Sequence, residues 1–171
     1  TYDARPLARM LRTPHEAAEA LYAAMPHALT RTTLEDYGTE AEAGQAQQST
    51  QELLSLSLFW IHCALEAVLP PRQREQVLGE LRGCILSGWG SDLALVGLDA
   101  QGYFQEAEER RRIYAQAMQE GASSVMIATE AAAILVANSA VRREDQMKAL
   151  ALVTDLVPVD ELGELADQIR L

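Results

Sequence analysis

The sequence predicts an all-α fold: a single domain of six or seven irregularly packed helices, two of them central and nearly all-apolar. Three observations lead there. Residues 53–69 and 125–141 are apolar on almost every side when wound as helices, so each must be surrounded by other protein. Neither reaches the roughly 20 uninterrupted apolar residues of a bilayer span. Elsewhere apolar residues recur at helical spacing, and no run alternates long enough to argue a strand. With 171 residues, 49% of them hydrophobic, the chain has the length and composition for one ordinary core. No internal repeat and no linker between two cores is visible, so the domain is expected to span residues 1–171.

The elements follow in order. Thr13-Pro14-His15-Glu16 opens the first helix, with Thr13 as cap and Pro14 at the first helical position. Ala17, Leu21, Ala24 and Met25 form its apolar stripe, and Pro26 ends it. Residues 31–50 are polar, with Gly38 and Gly44, and read as loop with a short helix; 32–48 is expected to be a flexible acidic segment. Ser49-Thr50-Gln51-Glu52 has capping-box spacing, which starts the second helix, with Thr39 and Glu42 as the competing start. Pro70-Pro71 stops it and begins the third, which runs to about Ser87. Gly88-Trp89-Gly90-Ser91 is a break, and the stretch to Gly102 is ambiguous between short helix and loop. Residues 103–120 form a clear helix closed by Gly121. Ser123 or Ser124 caps the next, through Val141. Residues 143–157 follow, and Asp160-Glu161-Leu162 opens a last short helix after Pro158.

The formal net charge of −11 disfavours nucleic acid and anionic membrane, both of which reward clustered Lys and Arg. The basic residues are 13 Arg and one Lys, Lys148, a bias that suggests a GC-rich bacterial genome and removes most lysine-nucleophile chemistry. Cys63 and Cys84 fall on helices joined at Pro70-Pro71, offset by about 9 Å along the axis, too far to bridge easily. Free thiols suit a reducing cytoplasm. The chain opens on Thr1-Tyr2 with no Met, which leaves a removed leader open.

Motifs that would name a reaction are missing. There is no Gly-x-Ser-x-Gly, Walker loop or Gly-x-Gly-x-x-Gly, no His-Glu-x-x-His, no Glu-x-x-His and no Cys/His spacing for zinc. No catalytic residue, metal or cofactor is therefore assigned, and the balance leans against an enzyme. What remains are polar residues set in apolar helices. Gln51, Ser55, His62 and Glu66 share one face. Arg111 lies in phase with Phe104, Ala107, Tyr114 and Met118, which places it on an apolar seam. If residues 103–120 and 123–141 form a hairpin, Glu130 comes within about one turn of it. A buried Arg111–Glu130 ion pair, with Glu66 as the alternative partner, is the first reading. A ligand pocket near His62, Arg111 and Glu130 is the second.

Between Arg31 and Arg72 there is no Lys or Arg, while Glu35, Asp36, Glu40, Glu42, Glu52 and Glu66 are negative. This asymmetry points to a basic protein partner, met through Glu35, Asp36, Glu40 and Glu42, with Trp89 either an aromatic anchor or a lid over the core. The sequence thus predicts a non-enzymatic interaction protein of adaptor, antagonist or chaperone type. A small-molecule-binding helical protein or enzyme is the alternative, and homo-oligomerisation is left open.

Overall fold

A computed structural model describes residues 10–40 and 42–171; the start of the chain, where a leader would attach, lies outside them. Its elements are α1 (Pro14–Ala24), α2 (Arg31–Asp36), α3 (Ala43–Val68), α4 (Pro71–Gly88), α5 (Ala100–Gln119), α6 (Ser124–Ala137), a 3-10 turn (Arg143–Asp145), α7 (Gln146–Leu156) and α8 (Val159–Asp167). Seven helices of nine residues or more and the six-residue α2 make a single all-helical domain. Leu11, ahead of α1, and Ile169, after α8, form an isolated parallel bridge.

Several helix ends follow from single side chains. Thr13 Oγ1 accepts from the Glu16 amide and caps α1, with Pro14 in the first position. Ser123 caps α6 and Asp99 caps α5, whose start is therefore Ala100 rather than Tyr103. Gly121, at φ +93°, turns the chain out of α5 as a glycine at this position can without strain. The expected start of the second long helix at Ser49 is corrected. α3 begins at Ala43, capped by Glu42, whose own amide donates to Gln45 Oε1. Thr50 is buried within the helix, where its hydroxyl donates to the Ala46 carbonyl and accepts from the Leu29 amide. Because Ser and Thr can bond backbone in a helix interior as well as at its start, their spacing alone misplaces the boundary.

Helix α3 is central and divides the interior in two. Leu54, Ile61 and Leu65 belong to a core shared with α1, α4 and α8. Leu53, Leu56 and Phe59 belong to a second core with Tyr114 of α5, α6 and α7. Trp60 packs against both. Serving two cores is why this helix is apolar on opposite sides.

The expectation that 125–141 would be equally enclosed is corrected. α6 ends at Ala137 and buries Ile127, Ala131, Ala132 and Leu135, while Val125 and Met126 are 65% and 60% exposed. It lies on α7 and on one side of α3, with its other face outward. Val125 and Met126 stand on the outer face beside the exposed Thr129 and Glu130, so hydropathy alone makes that face read as buried.

The buried charge on α5 is Arg110, not Arg111. Arg110 reaches across to Glu52 of α3: Nε lies 3.1 Å from Oε2 and Nη2 3.0 Å from Oε1. Their side chains are 16% and 8% exposed. Buried positions on α5 are Tyr103, Ala107 and Tyr114, and Arg110 falls in that strip. The seam read from the sequence shares Ala107 and Tyr114 with this one and is otherwise turned by one residue, so Met118 is exposed.

Removing one partner of such a pair leaves the other charge desolvated, a cost of about 3 kcal/mol. Glu52→Ala should therefore lower unfolding free energy by about that amount in denaturant titrations. The double variant Glu52→Leu, Arg110→Met should recover most of it, because two apolar residues need no counter-charge.

Candidate functional site

α4 packs chiefly on α1, and α5 packs on α3. Between α4 and α5, over one face of α3, a cavity of about 290 Å³ remains. Three short stripes line it, each at helical spacing: Leu58 and His62 from α3, Leu78, Arg82 and Ile85 from α4, and Phe104, Ala107, Glu108 and Arg111 from α5. Five of these nine residues are apolar and four carry polar groups.

Those groups differ in how they are held. Arg111 donates from Nε to Glu108 Oε2 at 3.0 Å and from Nη2 to Glu108 Oε1, a fork-to-fork pair within one turn of α5. The bond to Arg111 holds the Glu108 carboxyl below its ordinary pKa. Arg82 lies with its guanidinium carbon 4.3 Å from the centre of the Phe104 ring, a cation–π contact. Among the described residues it forms no ion pair. His62 is half-buried, and no hydrogen bond to its ring is formed among the described residues. Burial, and after it the Arg111 charge, lowers its pKa, so the ring is neutral at neutral pH.

Of the residues singled out from the sequence, His62 and Arg111 meet at this cavity. Glu130 does not; it is exposed on α6. The expected Arg111–Glu130 pair is therefore corrected, and its alternative with it: Glu66 is exposed and lies 3.7 Å from Arg74. Arg111 itself is about one-third exposed and has its carboxylate on its own helix.

Of the four acidic residues proposed for a partner, Glu35 pairs with Arg31 at 2.9 Å and Glu42 caps α3, and all four, Asp36 and Glu40 included, are exposed. Residues 32–36 and 43–48 of the segment expected to be flexible are helical, and Thr39 between them is buried. Trp89 is half-buried. Its Nε1 donates to the Leu98 carbonyl at 3.0 Å and its ring packs on Tyr103.

The cavity's Arg82, Phe104 and Glu108 were not singled out from the sequence. The signal was present: Arg82 interrupts the stripe of Leu78 and Ile85, and Phe104, Glu108 and Arg111 share a face. Cys63 and Cys84 are half-buried and free, and burial raises both thiols above their ordinary pKa, which keeps them protonated. Among the described residues no group of three His, Cys, Asp or Glu could hold a metal ion, and no helix is long and apolar enough to cross a membrane. No family model, curated protein or solved structure matches the chain, so the chemistry of the site itself has to carry its function.

The histidines give a direct check on this electrostatic arrangement. His15 on α1 bonds Glu80 of α4 through Nδ1 at 3.2 Å and Glu19 through Nε2 at 2.9 Å, and these contacts raise its pKa above 6.5. Its contribution to stability is complete below the unfolded value and is lost as pH rises through the folded one. His62 has the opposite sign: its contribution is present above pH 6.5 and is lost on acidification through the lowered value. In an NMR titration of the ring protons, His62 should titrate below 6.5 and His15 above it. Glu80→Gln should bring His15 down and leave His62 where it was.

Proposed function

We propose that the protein binds a small organic molecule in the cavity between α3, α4 and α5. The observation that carries this reading is the division of labour between neighbouring arginines. The ion pair that joins α5 to α3 is Arg110–Glu52, whereas among the described residues no ion pair of His62, Arg82, Glu108 or Arg111 joins one helix to another. These groups converge instead on an open cavity whose other lining residues are apolar, the usual make-up of a small-molecule site. At about 290 Å³ it lies at the small end of such sites, which run from roughly 300 to 1,000 Å³.

The test is a ligand-observed and protein-observed NMR screen with neutral and charged compounds of fragment size. Hits should shift resonances of Leu58, His62, Leu78 and Phe104. Leu78→Trp, which fills the space from its wall, should abolish them while leaving the melting temperature within a few degrees. Hits that map elsewhere, or that survive Leu78→Trp, would remove the reading.

A second reading, docking of another protein, draws on a separate observation. Val125 and Met126 stand exposed beside an apolar groove formed by Leu56, Trp60, Ala128, Val153 and Val157. Contiguous exposed apolar surface of this kind is characteristic of association sites. If a second copy is the occupant, light scattering should give a dimer that Val125→Glu converts to monomer. Should a basic partner dock instead on the acidic segment, reversing Glu35, Asp36, Glu40 and Glu42 should weaken it and leave Val125→Glu without effect.

A further inference from the structure

Building on the cavity reading, we propose that the ligand is a small monoanionic organic acid. Its carboxylate sits on Arg82 at the cavity mouth and its apolar body lies among Leu58, Leu78, Ile85 and Ala107.

The charge count around the cavity leads to this class. Arg111 and Glu108 neutralise each other through two hydrogen bonds. His62 stands without a carboxylate partner and carries no charge at neutral pH. Arg82 alone is left, a cation with no ion pair among the described residues. The lining therefore carries one net positive charge, which a monoanion balances. Arg82 is exposed and is solvated without a ligand, but a carboxylate gains a charge-assisted hydrogen bond from it that a neutral ligand does not, and the second charge of a dianion meets no unpaired cation of the lining. Outside the mouth, the exposed Arg112 and Glu109 offset each other.

The geometry of Arg82 fits the same class. The Arg82 guanidinium carbon lies 4.3 Å from the centre of the Phe104 ring, and among the described residues its N–H groups are engaged in no ion pair. A planar carboxylate accepts from a guanidinium edge through two parallel hydrogen bonds, a recognition that a point-charge Lys could not supply. His62 offers a further neutral donor or acceptor across the cavity, and the remaining lining is hydrocarbon. The chain as a whole carries −11 and repels anions at long range, so affinity has to come from these short contacts.

Benzoate, hexanoate, benzamide and phenyl phosphate are the probes, titrated into the whole chain and into Arg82→Gln while amide and methyl NMR spectra are recorded. Arg82 is exposed, so its replacement leaves the core intact. Benzoate or hexanoate is expected to bind at the cavity at least tenfold more tightly than benzamide. Arg82→Gln should erase that preference by bringing benzoate and hexanoate binding down to the level of benzamide. Equal binding of benzoate and benzamide, or a preference that survives Arg82→Gln, would overturn the assignment of an acid while the cavity reading stands. Tighter binding of phenyl phosphate than of either carboxylate would overturn the single-charge assignment. If none of the four perturbs the cavity residues, the acid fails together with the reading beneath it.

Discussion

Everything in this fold answers to the need to sheath α3. Its 26 residues make a rod of about 39 Å, and two opposite faces are hydrocarbon: Leu54, Ile61 and Leu65 on one, Leu53, Leu56 and Phe59 on the other. Exposing either face would forfeit roughly 1.5–3 kcal/mol for each large side chain, more than any surface interaction could restore. The other helices are therefore arranged as a jacket, with α1, α4 and α8 closing one core and α6 and α7 the other. α5 contributes to both, through Tyr103 on one side and Tyr114 on the other. The cavity is where this jacket fails to close. α4 turns toward α1 and α5 toward α3, and the space left between them has His62 at its floor.

A single run of three arginines illustrates how finely a helix separates roles. Successive residues are rotated by about 100°, so Arg110 points at α3, Arg111 at the cavity and Arg112 at solvent. The buried pair with Glu52 is costly to desolvate and is poor evidence of net stabilisation. What it does supply is register. A fork-shaped cation bonded to both oxygens of a fixed carboxylate permits little rotation of α5 about its own axis. That rotation is what presents Phe104, Glu108 and Arg111 to the cavity wall. A polar contact in the interior thus positions a site it does not touch.

The candidate site was half legible in the sequence. His62 stood out because a histidine set in a run of Leu, Phe, Trp and Ile has to have a partner or a reason. Arg111 stood out because it appeared to lie in the apolar seam of its helix, yet that seam was one residue out of phase and the true inward arginine was its neighbour. Arg82 was hidden by an ordinary appearance: one of several charged residues on a polar helix, its significance lies in Phe104, a residue 22 positions away. Glu130 misled for the converse reason. A lone carboxylate among Ala, Ile and Leu looks buried, but α6 is apolar on its solvent side as well, and Glu130 stands with Val125 and Met126 outside.

The sequence by itself determined the class of fold, most of the breaks between helices, and the centrality of residues 53–69. These depend on local chemistry: apolar residues at a helical period, prolines that cannot continue a helix, a threonine, serine or aspartate that caps one, and a glycine that can turn through positive φ. Only the tertiary structure decided which face of α5 turns inward, which face of α6 is covered, and that α4 and α5 part to leave a cavity. A rotation of one residue about a helix axis changes nothing in the composition of the helix and everything about what its side chains meet. That choice is made by the long-range fit of one helix against another, through contacts such as Arg110 with Glu52, 58 residues apart.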